Sequence, residues 1–384
     1  MPRRILDALA AAALGQAPRA SDLLFTVGAG PGVLVDGAFT PLSLPGADGP
    51  LTPQQTTLLA RGLLADAPGL LDDLRRRGSC DVGYRHVGGT RFRANVHRAG
   101  GSIGIVLRRL PDSPAGLESL GLPPALSRLT ELPDGLALVV GATGSGKSTT
   151  VAALAAAILA VRPVHVVTLE DPIECLLPPG RGVVSQRELG TDFPNFAEGL
   201  RAALRQAPQV IVLGEARDRD TVDAALAAAE TGHLVLATLH TADCAGAVQR
   251  LLAFFGAAEE KLARNRLAGC LRYVVAQRLL PREGGGRVAS AEVLYANLRT
   301  RERIAAGETE SLGFGDIIEQ GGPHGMVSFD ASTAALYAAG QVSLEAALAK
   351  ASDRAGLARA LDAVKATRGL PVSDITGLSL EGQA

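Results

Sequence analysis

The chain has 384 residues, of which 38 are basic and 39 are acidic, so its formal net charge is −1. This balance, with an aromatic content of only 3%, argues against a general nucleic-acid or anionic-membrane binder, because such proteins carry a basic excess or stacking aromatics. At about 100–200 residues per domain, the length predicts two domains.

The first residues predict an amphipathic helix. Leu6, Leu9 and Ala13 recur at helical spacing, and Asp7 interrupts the apolar run, which favours a packed helix over a secretory signal peptide. The longest apolar run, 151–161, is about half of a membrane span. The four cysteines form no C-x-x-C pair, which argues against a zinc or disulfide framework. We therefore expect a cytoplasmic protein that does not cross a bilayer.

Residues 1–110 predict a small α+β domain. Short strand-like runs alternate with turns, and a helix is expected at 52–74, after a proline suited to a first helical turn. The expected strands are 23–27, 33–35, 81–87, 91–98 and 103–107. A proline-rich stretch, 111–124, indicates a linker.

From residue 125 the pattern changes to short apolar strands that alternate with alanine-rich helices. The strands are expected at 136–140, 164–169, 210–213 and 234–238, and the helices at 148–159, 195–206, 220–230 and 243–255. This alternation predicts an α/β domain over 125–365, with a mostly parallel sheet, helices on both faces, and a ligand site at the carboxyl ends of the strands. Residues 260–365 are expected to be helical, with one hairpin-like break at 281–288, and 366–384 to form a flexible tail.

A phosphate-binding loop is predicted at 141–148. The segment GATGSGKS matches G-x-x-x-x-G-K-[ST], and it follows a predicted strand and begins a predicted helix. Glycines let backbone N–H groups face an anion, Lys147 would bridge the β- and γ-phosphates, and the Ser148 hydroxyl would bind Mg²⁺. The pattern therefore predicts that ATP and Mg²⁺ bind here. The predicted nucleotide-binding residues are Gly141, Thr143, Gly144, Ser145, Gly146, Lys147, Ser148 and Thr149.

Carboxylates and histidines follow or bracket other predicted strands. Glu215 comes just after the 210–213 strand and is the candidate that positions or activates the attacking water. Glu170 and Asp171 end the 164–169 strand. Glu170 is a further catalytic candidate, and Asp171 could complete the Mg²⁺ shell; a helix cap or a solvated turn is the alternative for both. His240 and His233 bracket the 234–238 strand, and a neutral imidazole there could bind a terminal phosphate, although a surface histidine is the alternative.

Four segments together resemble a known family. In order and spacing, 141–150, LEDPIE (169–174), VLGEARD (212–218) and AETGHLVLATLHT (229–241) resemble the Walker A, Asp, Walker B and His boxes of secretion-superfamily ATPases. The closest resemblance is to the PilT-type twitching-motility ATPases. It implies a RecA-like P-loop NTPase domain after a PAS-like domain, ATP hydrolysis to ADP and phosphate, and a motor that powers retraction of a type IV pilus.

The resemblance also implies partners and further site residues. It predicts a homo-hexamer at the inner face of the cytoplasmic membrane, an inner-membrane pilus platform protein as partner, membrane contact only through partners, and no stable nucleic-acid binding. Arg91, Arg93 and Arg108 align with family arginines that reach a neighbouring subunit's γ-phosphate; a solvated strand face is the alternative for each.

The chain departs from the family pattern at several places. An apolar family segment associated with retraction is replaced at 299–303 by Arg-Thr-Arg-Glu-Arg, and we expect its three arginines on an exposed helical surface, with their charged groups in solvent. The paired-cysteine zinc insertion of extension motors is absent from the sequence, which favours retraction. A secretion or conjugation ATPase, an accessory pilus motor, a nucleic-acid translocase and a non-hydrolysing nucleotide sensor remain as alternatives.

Overall fold

The computed structural model describes residues 2–35, 38–44, 46–47, 49–65, 67–308 and 313–368. Most of the predicted tail, 369–384, lies outside the described residues. Contacts divide the chain into two compact units: residues up to 114 with 165–207, and residues 115–164 with those from 208 onward. The sequence groups 165–207 with the second domain because the alternation of strands and helices is continuous there, whereas the structural grouping follows contacts between distant segments.

The first unit contains a six-stranded antiparallel sheet in the order β3-β2-β1-β6-β5-β4. Its N-terminal part consists of α1 (Pro2–Gln16), β1 (Asp22–Phe25), β2 (Gly32–Val35), β3 (Ala38–Pro41), α2 (Pro53–Leu63), α3 (Pro68–Arg77), β4 (Ser79–Arg85), β5 (Arg91–Ala99) and β6 (Ser102–Arg109). The predicted α+β character is thus present. The single helix expected at 52–74 is wrong: there are two helices, because a proline at position 68 has no N–H with which to continue the first one.

Helix α1 packs against this sheet as its pattern predicts. Leu6, Leu9 and Ala13 are buried in the core of the first unit. Asp7, which interrupts the apolar run, is buried too, and its carboxylate accepts a 2.5 Å hydrogen bond from the Tyr84 hydroxyl. A buried carboxylate needs such a partner, and the pair ties the helix to β4.

The strands of the second unit belong to a mixed sheet, in which they run in the order β13-β12-β7-β11-β10. The chain forms β7 (Gly135–Val140) and α4 (Lys147–Val161) in this unit, then β8 (His165–Glu170), β9 (Val183–Glu188) and α5 (Phe196–Ala203) in the first, and then β10 (Val210–Leu213), α6 (Arg219–Glu230), β11 (Leu234–Leu239), α7 (Cys244–Leu252), α8 (Glu260–Cys270), β12 (Leu271–Pro281) and β13 (Arg287–Tyr295). Strand β7 runs parallel to β11 and β12, β10 to β11, and β8 to β9. The predicted α/β class is confirmed.

The region expected to be helical, 260–365, contains two long strands instead. Strands β12 and β13 form an antiparallel hairpin whose register joins Tyr273 to Tyr295 at one end and Pro281 to Arg287 at the other. Strand β12 also pairs with β7, so most of its side chains are buried. A strand buried on both faces shows no polar–apolar alternation, and its pattern can be mistaken for that of a buried helix.

Five helices complete the described chain. They are α9 (Leu298–Ala306), α10 (Phe314–Gln320), α11 (Phe329–Ala338), α12 (Leu344–Leu348) and α13 (Arg354–Thr367). The last three cover the far end of the hairpin: Leu280 and Val288 share one apolar core with Leu336, Leu357 and Leu361.

Candidate nucleotide-binding site

The predicted phosphate-binding loop lies between β7 and α4. Its three glycines have positive φ angles, 148° at Gly141, 78° at Gly144 and 92° at Gly146, where a side chain would be strained. Residues 142–144 are exposed, so the tip of the loop is open to a ligand. The first N–H groups of α4 and the positive end of its dipole face this loop, which makes it an anion site.

The polar side chains of the loop and of the first turn of α4 differ in burial and in contacts. Lys147 is buried, and its ammonium donates to the carbonyl oxygens of Gly141 (2.8 Å) and Ala142 (2.9 Å). The buried Ser145 hydroxyl has no hydrogen-bond partner among the described residues, which is uncommon for a buried polar group. Ser148 and Thr149 are exposed on the first turn of α4.

Gln277, which the sequence analysis missed, supports the loop from behind. It is buried on β12 and accepts a 2.8 Å hydrogen bond from the Thr150 hydroxyl. A Cβ at Gly141 would meet the Gln277 carbonyl, and one at Gly146 would meet its side-chain amide. The only signal in the sequence is the position of Gln277 in the QRLL segment, which resembles the family's C-terminal part.

Glu215 and His240 meet beyond the carboxyl ends of β10 and β11. These strands are parallel neighbours, with Leu213 beside Ala237, so the residues that follow them lie close together. One Glu215 carboxylate oxygen is 3.3 Å from His240 Nε2 and 2.8 Å from Arg217 Nε. The Thr238 hydroxyl donates to the Gly214 carbonyl and fixes the turn before Glu215. Arg217 was not singled out from the sequence, although it follows Glu215 by two residues.

His233 directly precedes β11 and lies at the amino ends of the parallel strands, opposite to the carboxyl ends that carry the phosphate-binding loop and Glu215. Its carbonyl accepts a 3.0 Å hydrogen bond from Gly135 N, at the start of β7, and its ring Nδ1 is 3.0 Å from the Ala228 carbonyl. The phosphate-binding loop follows the other end of β7, about 20 Å away for six extended residues. The structure therefore does not bring His233 to this loop, because it precedes its strand while the loop follows one.

The predicted acidic residues Glu170 and Asp171 lie in the first unit. Glu170 ends β8, and one of its carboxylate oxygens accepts hydrogen bonds from the Thr168 hydroxyl (2.6 Å) and from Gln186 Nε2 (3.0 Å). Burial raises the pKa of Glu170, and these hydrogen bonds and the nearby Arg91 oppose the rise. Asp171 is exposed, and the chain after it is irregular up to β9, so neither carboxylate caps a helix.

The three predicted arginines have different surroundings. Arg91 is buried and its Nη2 donates to the Ile173 carbonyl at 2.8 Å. Arg93 is partly exposed, 3.5 Å from Asp81 and 3.7 Å from Glu174. Arg108 is 69% exposed and pairs with Asp22 at 2.9 Å. A solvated strand face therefore describes Arg108 but not Arg91.

The charged segment 299–303 forms part of α9. Arg299 is exposed and donates to Gln320 (2.6 Å), as expected for a surface helix. The prediction that all three arginines have their charged groups in solvent is wrong: Arg301 and Arg303 are half-buried and donate to the carbonyls of Ala296 (3.0 Å) and Gly307 (3.0 Å). Carbonyls at the two ends of the helix are available, so the guanidinium groups satisfy them and remain solvated only in part.

Two kinds of feature are not found in the described part of the chain. Within those residues, no helix combines the length and apolarity that a bilayer crossing requires. Three or more His, Cys, Asp or Glu side chains placed to hold a metal ion are likewise not found among them.

The comparisons with known proteins agree on one family. Residues 96–300, about half of the chain, match the family model described as type II/IV secretion system protein. The type IV pilus retraction ATPase PilT of Pseudomonas aeruginosa is 36% identical over 332 residues, which cover 86% of this chain and 94% of that protein. The type IV pilus ATPase PilU of the same organism is 36% identical over 363 residues, 94% and 93% of the two chains.

A solved structure extends this similarity to the fold. The crystal structure of the pilus retraction motor PilT with bound ADP matches with a TM-score of 0.80 at 36% identity, covering 92% of this chain and 99% of that one. The chain therefore belongs to the type II/IV secretion system protein family, with a small N-terminal domain and a RecA-like ATPase domain.

Proposed function

We propose that this chain is the ATP-hydrolysing motor of a type IV pilus machine and that it powers pilus retraction. The observation that carries the proposal is the loop at 141–148: three glycines in left-handed conformations, an exposed tip, and a buried lysine and serine at the start of α4. Relatives named as pilus ATPases match nearly the whole chain, and the similar solved structure of a pilus retraction motor contains bound ADP.

The residues of the second unit divide the work of hydrolysis. On nucleotide binding, Lys147 exchanges its two carbonyl partners for phosphate oxygens, and the Ser145 hydroxyl and the first amides of α4 donate to the phosphates. Glu215 orients the attacking water, while Arg217 and His240 hold its carboxylate in place. Because His240 contacts Glu215, it can register whether a terminal phosphate is present.

The donor set at the loop fits a nucleotide-borne Mg²⁺. Magnesium in such sites takes one or two protein oxygens, phosphate oxygens and waters, and the exposed Ser148 hydroxyl is a suitable protein ligand. The ion would neutralise charge on the phosphates. The metal role of Asp171 stays a prediction.

Glu170 predicts a measurable pH dependence. If it acts as a carboxylate, turnover falls as the pH drops through its pKa, and burial places that fall at a higher pH than for an ordinary glutamate. Replacing Thr168 with valine removes a hydrogen bond to the carboxylate, so the pKa rises further and the acid limb of kcat against pH moves upward. Thr57→Val, a half-buried threonine on α2 whose hydroxyl donates to the Pro53 carbonyl, is the control; an unchanged acid limb in Thr168→Val would exclude Glu170 as its source.

We further propose that the motor is a homo-hexamer in which Arg93 or Arg108 completes a neighbour's site. An arginine supplied in trans stabilises charge on the transferred phosphoryl group. Specific activity is therefore expected to rise with protein concentration until rings are complete, which steady-state turnover and light scattering on the same samples would show. Full specific activity in a dilute monomer would contradict this assembly.

The pilus role is tested by complementation. We propose that the motor works at the cytoplasmic face of the inner membrane on a platform protein. Expressed in a strain that lacks its own retraction motor, the wild-type gene is expected to restore twitching and phage sensitivity, and Lys147→Ala is not. Failure by a protein that hydrolyses ATP would favour the alternatives, a secretion or conjugation ATPase or an accessory motor.

A variant in which 299–303 carries an apolar segment, tested in the same strain, shows whether this segment determines the ability to restore twitching.

A further inference from the structure

The backbone of Ile173, just after the acidic pair Glu170–Asp171, is held by two charged side chains. The Glu188 carboxylate bridges strand β4 and this irregular segment: one oxygen accepts from Gly83 N at 3.1 Å and the other from Ile173 N at 3.2 Å. From the opposite side, Arg91 Nη2 donates to the Ile173 carbonyl at 2.8 Å. Both polar groups of one peptide residue are thus bound by side chains, an arrangement that we call the Ile173 clamp.

The acidic segment depends on this clamp because it has no regular structure of its own. Residues 171–182 belong to no helix or strand, so no backbone ladder fixes them. Side chains on one face of strand β9 hold the segment instead. Gln186 lies two residues before Glu188 and therefore on the same face of the strand. It donates to Glu170 (3.0 Å) and to the Cys175 carbonyl (2.9 Å), and it accepts from Leu177 N (2.9 Å).

Glu188 also contacts the backbone of β4, at Gly83, where the absence of a side chain leaves room for its carboxylate. A Cβ at Gly83 would stand 2.7 Å from one Glu188 carboxylate oxygen and 3.1 Å from the other, closer than real Cβ atoms approach. A side chain at position 83 would therefore displace the Glu188 carboxylate from its present contact with the β4 backbone. The contact joins residues 105 positions apart, and it connects the sheet of the first unit directly to the segment that carries Glu170.

Arg91 is enclosed by residues of its own chain. It is only 8% exposed, and its second terminal nitrogen, Nη1, is buried without a hydrogen-bond partner among the described residues. Burial lowers the pKa of Arg91, and the carboxylates of Glu188 and Glu170 oppose that change. Arg93 and Arg108 on the same sheet keep exposed side chains, so the three arginines need not share one role.

We propose that Arg91 and Glu188 are positioning residues that act within their own subunit and hold the Glu170–Asp171 turn against β4 and β5. The inference rests on the proposed ATPase function and assigns Arg91 a different role from a trans-acting arginine. Losing either residue frees the acidic turn while the phosphate-binding loop, built from other segments, is unchanged. Small displacements of a catalytic group cost about 100-fold in rate.

The first test separates turnover from binding. For Arg91→Ala and Glu188→Gln, kcat is expected to fall roughly 10- to 100-fold, while the Kd for a fluorescent ADP analogue and the thermal unfolding midpoint stay close to wild type. Arg91→Lys keeps one charged donor and should retain more of kcat than Arg91→Ala. Glu188→Gln keeps the size of the side chain but places an amide N–H₂ against a backbone N–H, so it should still lose kcat. Arg75→Ala, an exposed arginine on α3, is the matched control. Equal losses of binding and turnover, or wild-type turnover, would overturn the proposal.

The second test separates action within a subunit from action across an interface. Lys147→Ala subunits cannot use their own site but can lend an arginine to a neighbour. Mixed with Arg108→Ala they are expected to regain ATPase activity above the sum of the separate proteins, whereas mixed with Arg91→Ala they are not. Rescue of Arg91→Ala would overturn the inference. If the Arg108→Ala mixture shows no rescue, the same mixing with Arg93→Ala tests the other candidate; if neither is rescued, the trans arginine of the proposed function is contradicted, and the kcat and Kd measurements decide the inference alone.

Discussion

Replacing Lys147 with alanine is expected to raise the Kd for ATP and ADP by roughly 100-fold or more and to abolish measurable turnover. The ammonium is the charge nearest the loop that would cradle the phosphates, and it already lies on the Gly141 and Ala142 carbonyls. A single positioned donor to a developing phosphate charge is worth about 100- to 1000-fold. Titration with a fluorescent nucleotide and a coupled phosphate assay would measure the two quantities.

Two further variants show whether this loss comes from the charge. Lys147→Gln keeps much of the length and can still donate to the loop carbonyls, so the loop keeps its support while the positive charge is removed. It should bind nucleotide almost as weakly as Lys147→Ala. Lys261→Ala, on exposed α8 surface, should bind like wild type. A Kd for Lys147→Ala within about threefold of wild type would show that the nucleotide binds elsewhere.

Glu215→Gln is expected to bind nucleotide normally and to lower kcat by roughly 100- to 10,000-fold, the range found for loss of a positioned general base. Glutamine has the same size, so the contacts with Arg217 and His240 lose charge but little geometry. Single-turnover hydrolysis and ADP binding on the same preparation would separate chemistry from binding.

The matched control for this substitution is Glu283→Gln, in the exposed turn between β12 and β13. It removes the same charge from an exposed turn outside the predicted site residues and should leave kcat unchanged. Wild-type turnover in Glu215→Gln would remove Glu215 from the mechanism and would favour the nucleotide-sensor alternative. Arg217→Ala is expected to have a smaller effect, because it removes a support of the carboxylate and leaves the carboxylate itself.

Features carried by a short stretch of sequence could be predicted, because neighbouring residues determine them. The strand, glycine loop and helix around Lys147 follow from one motif, and the meeting of Glu215 with His240 follows from the rule that parallel strands end at one edge. The same reasoning misplaced His233, since bracketing a strand puts one histidine at each edge.

Features that depend on distant segments left no local signal. Gln277 lies 127 residues from Thr150, and Glu188 lies 105 residues from Gly83, so no spacing rule connects them. Strand β12 was missed because it is buried on both faces and lacks alternation. The burial of Arg91 was missed because the β5 pattern shows which residues alternate but not that a loop from β8 covers one of them.

The hairpin of β12 and β13 has a consequence for how the chain can be divided. Gln277, behind the phosphate-binding loop, and Leu280, in the apolar core beneath α11 and α13, are three residues apart on one strand, about 10 Å. A shortened chain that ended before Phe329 would uncover Leu280 and Val288 on the strands that support the loop. The last helices therefore cannot be removed without affecting the nucleotide-binding part, because both depend on the same hairpin. A chimera that takes the phosphate-binding loop and its hairpin from one homologue has to take the C-terminal helices from that homologue as well.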